Sequence, residues 1–161
     1  MRSIGSYSVK DGLLFCDGSG GPALYTRDRY DDFVLRFEFR IVEGGNSGVW
    51  IRAPRDCRQS KTGFEFQIMG DYGEEPTRTS TGAIYDVVAP LKNAGKPAGE
   101  WNTVELTLNG PVYKAILNGE VVQDINFDDD PELKHRLRRG FIAVQDHDHE
   151  AAFRNIRIKQ L

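Results

Sequence analysis

Charged and amide side chains alternate with apolar ones in the segment GFEFQIM. Apolar residues occupy positions 64, 66 and 68, so Glu65 and Gln67 fall between them. Successive side chains of a strand point to opposite faces, which sends Glu65 and Gln67 away from the core. A carboxylate can act as a general base, and an amide both donates and accepts hydrogen bonds. The segment therefore predicts a strand whose outer face carries a candidate general base and a hydrogen-bonding amide.

Two other segments place polar or aromatic side chains on an outer face. In GVWIR the alternation puts Trp50 and Arg52 outside, and in GFIAVQDH it puts Phe141, Gln145 and His147 outside. Sugars favour such surfaces, because their C–H faces stack on aromatic rings and their hydroxyls need donors and acceptors. We therefore expect these side chains to share a carbohydrate-binding groove.

Alternative interpretations of single residues stay open. Glu65 is also explained as a solvated strand residue, and Trp50 as a lid over a sheet edge. Asp71 can be a turn cap or a further carboxylate in the groove. His147 and His149 would lie on one side of a strand, but their spacing assigns no third metal ligand. We expect no required cofactor, with a divalent cation as the alternative.

The elements that must position these side chains are mostly strands. The segment FVLRFEFRI alternates strictly between apolar and polar residues, as a half-buried strand does. Further strands are predicted at LLFCDG, ALYT, GVWIR, GFEFQIM, GAIYDVV, NTVELTLN, VYKAILNG, EVVQDI, GFIAVQDH and FRNIRIKQ. This pattern predicts an all-β fold, an antiparallel β-sandwich formed by a single domain over residues 1–161.

Three local signals refine this picture. Asn118-Gly119 predicts a tight hairpin turn, because both residues tolerate positive φ. A short helix is predicted after Asp130, which can cap it, and Gly140 can end it. In FRNIRI the alternation groups Arg154 with apolar residues, which predicts a bulge or a buried Arg154 with a partner.

Composition excludes several classes of function. A net charge of −3 and a pI near 5.6 give no electrostatic reason to expect nucleic acid or an anionic membrane as partner. The N-terminal segment lacks the apolar stretch of a signal peptide, and no run approaches a membrane span, so we expect a soluble chain. Nucleophile-elbow and phosphate-loop motifs are absent from the sequence. The expected partner is a small carbohydrate, and the oligomeric state is not specified.

Several segments together resemble the DUF1080 family, also called the 3-keto-disaccharide hydrolase domain. The matching segments are TRDRYDDFVLRFEFRI, GGNSGVWIR, TGFEFQIMGD, TGAIYDVVAP, GKPAGEWNTVEL, LNG, GFIAVQDH and FRNIRIKQL. The resemblance implies a concanavalin A-like jelly roll of two curved sheets whose concave face binds a carbohydrate. It also implies that the following residues occupy motif positions: Asn46, Ser47, Arg52, Glu65, Gln67, Asp71, Tyr85, Gln145 and His147. Members of the family are often exported bacterial proteins or modules of longer chains.

The resemblance changes the expected chemistry. Retaining glycosidases need two carboxyl groups about 5 to 5.5 Å apart, and a neutral Gln67 cannot supply the second. A 3-keto sugar needs one general base instead, because its carbonyl acidifies the neighbouring C2–H. Glu65 or His147 is expected to be that base, and Asp71 or His147 to assist departure of the leaving group. Arg52, with Gln67 or Asn46, is expected to stabilise the enolate oxygen.

Binding without catalysis is the alternative function. Trp50 would stack on the sugar, and Tyr85 and Gln145 would contribute to binding, whether or not the sugar is cleaved. Many sandwiches of this shape bind glycans without cleaving them, and the fold alone does not decide between the two functions. A base with a perturbed pKa in a partly desolvated groove would favour the enzyme. An interaction domain would instead expose an apolar patch, and the predicted outer positions are polar.

Overall fold

Twelve strands form the framework of residues 2–161, the part of the chain that this computed structural model describes. The strands are β1 (Arg2–Ile4), β2 (Tyr7–Lys10), β3 (Leu13–Asp17), β4 (Leu24–Tyr25), β5 (Phe33–Ile41), β6 (Asn46–Ala53), β7 (Phe64–Met69), β8 (Asn102–Asn109), β9 (Val112–Leu117), β10 (Glu120–Asn126), β11 (Phe141–Val144) and β12 (Glu150–Gln160). A single α-helical turn, α1 (Gln59–Thr62), and a 3₁₀ turn (Phe127–Asp129) complete the described elements.

The strands form two antiparallel sheets that enclose one apolar core. The larger sheet has the order β1-β2-β3-β12-β5-β8-β9-β10, and the smaller has the order β4-β11-β6-β7. Alternate residues of β5, from Phe33 to Ile41, are buried, and so are the alternate residues Phe64, Phe66 and Ile68 of β7. Burial of one face of each sheet against the other provides the main stabilisation. The predicted all-β antiparallel sandwich with one short helix is confirmed.

Two local predictions are also confirmed. Asn118 and Gly119 join β9 to β10 with φ values of +52° and +83°, as a two-residue hairpin turn with both φ angles positive requires. Within β12 the pairing register shifts between Arg154 and Arg157, and Asn155 has a φ of +53°. Arg154, just before the bulge, lies directly opposite Glu38 of β5, with 2.7 Å between Nε and Oε2.

The prediction of a helix after Asp130 is wrong, because the described helix lies elsewhere, at Gln59–Thr62. Asp130 does cap a turn, accepting backbone hydrogen bonds from Glu132 at 2.8 Å and Leu133 at 3.1 Å. The chain then leaves the helical path, because the Leu137 N–H donates to the Thr62 carbonyl at 2.9 Å. Tertiary hydrogen bonding thus replaces the helix, and the only α-helical turn described in residues 2–161 is α1.

The strand predicted at GAIYDVV is also wrong. Ile84 forms an isolated bridge with Phe66, and the chain then folds back so that Ile84 and Val88 exchange backbone hydrogen bonds. Asp86, at the tip of this loop, has a φ of +62°. The segment therefore borders β7 without continuing as a strand. No helix within the described residues is long and apolar enough to cross a membrane.

Candidate functional site

The outer face of the smaller sheet carries the polar side chains predicted from the alternation. Trp50 of β6 lies directly opposite Glu65 of β7, and Gly48 lies opposite Gln67. Paired residues of antiparallel strands share a face, so Trp50, Glu65 and Gln67 point the same way. Asn46 joins them by its two-residue spacing. We call this surface the polar face, defined by Asn46, Trp50, Glu65, Gln67 and Gln145.

Gln145 reaches the polar face from the loop after β11. Its backbone N–H donates to the Gly48 carbonyl at 2.9 Å, and the Ser47 hydroxyl donates to its carbonyl at 2.8 Å. A β-carbon on Gly48 would lie 3.1 Å from the carboxyl carbon of Glu65 and 3.2 Å from Oε1 of Gln145. Glycine at this position therefore leaves room for the Glu65 carboxylate of β7 and the Gln145 amide of the loop to approach each other.

Glu65 is buried although it lies on an outer face. Its exposed fraction is 4%, because residues 82–85 lie along β7 and Trp50 lies beside it. The Trp50 indole N–H donates to Oε2 of Glu65 at 3.0 Å, and Oε1 receives no hydrogen bond from the described residues. Burial raises the pKa of Glu65 from its ordinary value of 4.5 to about 7, and the hydrogen bond from Trp50 opposes that rise.

This environment suits a general base. A carboxyl group with a pKa near 7 is about half ionised at neutral pH and holds an abstracted proton far better than an exposed glutamate does. The solvated-residue interpretation of Glu65 therefore does not describe its surroundings. Such a shift in a partly enclosed polar site is the feature expected of a catalytic carboxylate.

Three amide oxygens on the polar face have no hydrogen-bond partner among residues 2–161. They are Oδ1 of Asn46, Oε1 of Gln67 and Oε1 of Gln145, and all three are shielded from solvent. Buried polar atoms are normally hydrogen bonded, and such exceptions often mark a site for a ligand. Rotating each terminal amide group by 180° would place its N–H₂ where the oxygen now lies, so these amides can accept or donate hydrogen bonds at the same position.

An aromatic surface continues the polar face along β4 and β11. Ala143 pairs with both Tyr25 and Trp50, so a small residue separates two large rings whose centroids are 6.1 Å apart. The Tyr25 ring lies edge-on to Phe141 at 6.2 Å. Gln59 donates to the Tyr25 hydroxyl at 2.8 Å and fixes its orientation. Tyr25 was not among the predicted site residues, although its position in the predicted strand ALYT could have indicated it.

Arg52 does not belong to the polar face, and its predicted outward orientation is wrong. The pairing of β11 with β6 shifts register beside it, and its φ is +49°. This bulge turns the side chain inward, where it is fully buried. Nε donates to the Asp31 carbonyl at 2.8 Å, Nη1 to the Gly110 carbonyl at 2.9 Å and Nη2 to the Asp32 carboxylate at 2.9 Å.

The buried guanidinium of Arg52 links three segments of the fold by hydrogen bonds. Burial lowers the pKa of Arg52 to about 10, while the Asp32 carboxylate opposes this shift, so the side chain is charged at neutral pH. Asp32 also accepts a hydrogen bond from the Gly110 N–H at 2.8 Å. Arg52 thereby joins β6 to the start of β5 and to the turn between β8 and β9. We assign it to stability rather than to substrate binding.

Changing Arg52 to methionine should lower the free energy of unfolding by about 2 kcal/mol. Removing one partner of a fully buried ion pair costs about 3–5 kcal/mol, but the Asp32 side chain is 37% exposed and can be rehydrated. Urea denaturation measures the effect. Arg157→Met, at an exposed position on the larger sheet, is the matched control and should change stability by less than about 0.5 kcal/mol. Equal stability of the two variants would contradict the assignment.

Asp71 occupies the turn-cap position of the two that the sequence allowed. The Thr81 backbone N–H donates to Oδ2 at 2.9 Å, and the Thr81 hydroxyl donates to Oδ1 at 2.8 Å. Asn93 donates to the Asp71 carbonyl at 2.6 Å. Both carboxylate oxygens thus hold the turn that carries residues 80–85 against β7. We assign Asp71 to this turn and leave it out of the proposed reaction.

Tyr85 lies beside β7 through its backbone, and His147 lies in the loop that carries Gln145. The Tyr85 backbone N–H donates to the Glu65 carbonyl at 3.1 Å, and its side chain is half-buried. His147 is exposed, two residues after Gln145, and its carbonyl lies 2.7 Å from Nδ1 of His149. No group of three or more potential ligands among the described residues is arranged to hold a metal ion. The roles predicted for Tyr85 and His147 stay predictions.

Comparison with known proteins identifies the family of the chain. The family described as the 3-keto-alpha-glucoside-1,2-lyase-like domain matches residues 2–159. The chain belongs to this family. A Bacteroides thetaiotaomicron relative named 3-keto-disaccharide hydrolase is 26% identical over an alignment of 213 positions, which covers 99% of this chain and 72% of the relative. The chain is thus a member of a carbohydrate-active, glycosyl hydrolase-like family.

Solved structures show the same fold. A Parabacteroides distasonis protein described as a candidate glycosyl hydrolase superimposes with a TM-score of 0.86 at 25% identity, covering 96% of this chain and 90% of that protein. The carbohydrate-binding module CBM66 from Bacillus subtilis superimposes with a TM-score of 0.65 at 14% identity, covering 98% and 92%. The second likeness concerns the fold alone. This lyase-like domain is therefore built on a scaffold that also occurs in a binding module.

Proposed function

We propose that this lyase-like domain cleaves 3-keto-glycosides by elimination across C1 and C2, with Glu65 as the general base. The observation that supports the proposal most is the state of Glu65, a buried carboxylate with a pKa raised to about 7. Its Oε2 accepts a hydrogen bond from Trp50, and its Oε1 accepts none from the part of the chain that the structure describes. The names of the family and of the Bacteroides relative point to the same substrate class.

The proposed reaction has two stages. Glu65 removes the C2 proton, and the electron pair of the C–H bond moves into the bond between C2 and C3 while the C3 carbonyl oxygen becomes an enolate oxygen. The enolate then collapses, the C1–O bond to the aglycone breaks, and the aglycone oxygen takes up a proton. Water subsequently adds at C1 and a proton returns to C2, which gives the 3-keto sugar. A single carboxylate suffices, because it is regenerated at the end.

Neutral donors would stabilise the enolate in this scheme. Arg52 is engaged within the fold, so the groups available on the polar face are the side-chain amides of Asn46, Gln67 and Gln145. Donors already held in place in a poorly solvated site stabilise developing charge without reorganisation. His147, on the loop after β11, is our candidate for protonation of the leaving oxygen.

Isotope incorporation tests the elimination directly. The domain should release the aglycone from a 3-keto-glucoside and leave the corresponding unoxidised glucoside intact, because only the keto sugar has an acidic C2–H. In D₂O the released 3-keto sugar should carry deuterium at C2, measured by mass spectrometry. A matched incubation without protein measures spontaneous exchange. Release without enzyme-dependent deuterium would indicate direct hydrolysis and contradict the proposal.

Binding without catalysis is the second candidate function. The free amide oxygens and the aromatic surface can hold a sugar ring without any base, and those features favour a receptor role. A binding module would bind keto and unoxidised disaccharides with similar affinity and release nothing from either. Calorimetric titration with both sugars, alongside the release assay, separates the two functions.

A further inference from the structure

Three arginines surround a surface cavity that continues the aromatic surface beyond Phe141. The cavity measures about 400 Å³, and its lining includes Arg29, Arg55, Arg139 and Phe141. The guanidinium of Arg55 lies 4.2 Å from the Phe141 ring centroid, and that of Arg29 lies 5.0 Å away. Phe141 is linked through Tyr25 to Trp50 of the polar face. The arginine cavity and the polar face are therefore parts of one continuous surface.

The positive charge of this cavity is not neutralised by the fold. Within residues 2–161, none of the three arginines forms a salt bridge, and Asp56 is the acidic residue in the lining. Arg55 gives one hydrogen bond, from Nη2 to the Thr26 carbonyl at 2.9 Å. All three side chains belong to exposed residues. Three positive charges and one negative charge thus face solvent in a chain whose overall charge is −3.

Arginines on the opposite sheet provide a contrast. Arg36 pairs with Glu105 at 2.6 Å, and Arg154 pairs with Glu38 at 2.7 Å. Those guanidinium groups are satisfied by carboxylates of neighbouring strands. The arginines of the cavity keep donors free, and two of them lie over the same aromatic ring, which limits their orientations. Oriented, unpaired guanidinium groups are suited to a ligand that brings its own negative charge.

We propose that the arginine cavity binds an anionic substituent of a saccharide whose neutral ring lies against Trp50 and Tyr25. The inference rests on the proposed function in that the polar face holds a sugar. It adds that the preferred substrate class is acidic, carrying a carboxylate or a sulfate group. A guanidinium fork pairs with either anion through two parallel hydrogen bonds. A neutral disaccharide would leave these donors to water and gain nothing from them.

Calorimetric titration with matched unoxidised disaccharides tests the preference. The probes are cellobiose, its uronic acid form and its 6-sulfate, each at about 50 mM and 300 mM NaCl, where screening differs strongly. We expect at least one acidic form to bind about tenfold more tightly than cellobiose at low salt, with a smaller difference at high salt. The carboxylate and sulfate arms show which anion fits. Inorganic sulfate alone serves as the ion control.

Arginine variants locate the effect. Arg29→Gln and Arg139→Gln should each weaken binding of the preferred acidic sugar by about two- to fivefold and leave cellobiose binding unchanged. Arg157→Gln, on the outer face of the larger sheet, makes the same charge change away from the cavity and should have no effect. These positions are exposed, so the variants should fold, which their thermal midpoints will verify.

The binding measurements test the role of the arginine cavity independently of the proposed catalysis by Glu65. Equal binding of acidic and neutral sugars, insensitivity to both cavity variants, absence of measurable binding, or sulfate ion binding as tightly as the sulfated sugar would each overturn it. None of these results concerns proton abstraction, since the probes lack a 3-keto group. Conversely, a failure to release the aglycone from a 3-keto-glucoside would leave a preference for acidic sugars intact.

Discussion

Changing Glu65 to glutamine should lower the rate of aglycone release from a 3-keto-glucoside by about 10²- to 10⁴-fold, the usual contribution of a positioned general base. The glutamine amide can still accept the indole hydrogen bond of Trp50 but cannot take up the C2 proton. Sugar binding should survive, because the aromatic surface and the amides of the polar face remain. Initial rates and calorimetric affinities of the same protein preparation measure both quantities.

The pH profile provides the internal check on Glu65. Its raised pKa of about 7 means that the active, ionised form accumulates as pH rises through neutrality, so kcat/KM of the unmodified domain should increase on that limb. Glu105→Gln is the matched control, since Glu105 is a strand glutamate on the larger sheet, paired with Arg36. It should leave rate and profile unchanged. A Glu65→Gln protein with the rate of the unmodified domain would remove Glu65 from the mechanism.

The faces of most site residues could be predicted because the strands that carry them are regular. The pairing of β6 with β7 runs without a register shift from Asn46 to Ile51, so two-residue spacing assigned Trp50, Glu65 and Gln67 correctly. The burial of Glu65 could not be predicted in the same way. It depends on residues 82–85, which lie along β7, and on Gln145, which approaches across Gly48 from the loop after β11. Alternation assigns a side chain to a face but does not tell what covers that face.

Arg52 shows where alternation fails. A bulge adds one residue and reverses the faces of those beyond it, and a positive φ at a non-glycine residue has no clear sequence signature. The buried guanidinium of Arg52 is stabilised by the Asp31 and Gly110 carbonyls and the Asp32 carboxylate, which are distant from it in sequence. The bulge in β12 could be anticipated because Arg154 visibly broke an apolar pattern. Arg52 broke none, since an arginine on a strand is expected to face solvent.

The misplaced helix has a related cause. Asp130 and Gly140 supply correct local capping signals, yet the intervening residues hydrogen bond to other parts of the fold. Arg136, in the expected basic last turn, is buried and donates to the Ser60 carbonyl at 2.6 Å. Local propensity is weak compared with several tertiary contacts, and a helix of about ten residues is marginal without an apolar face. The turn cap at Asp130 survives because it needs only its immediate neighbours.

Glu65 should also make the stability of the domain depend on pH in a direction opposite to that of most carboxylates. Its pKa is raised on folding, so between about pH 4.5 and 7 the folded state binds more protons than the unfolded state. The free energy of unfolding therefore falls as pH rises through this window and is level with respect to Glu65 above it. A rise from 4.5 to about 7 corresponds to a loss of about 3 kcal/mol at pH 8.

The Glu65→Gln variant isolates this contribution. It should be about 3 kcal/mol more stable than the unmodified domain at pH 8 and nearly equal to it at pH 4.5, by urea denaturation. Glu38 and Asp146 have lowered pKa values, so their own contributions are lost below that window and cancel between the two proteins. A stability difference independent of pH would mean that Glu65 titrates normally. A buried base that destabilises its own fold when charged is what selection for activity, rather than stability, would maintain.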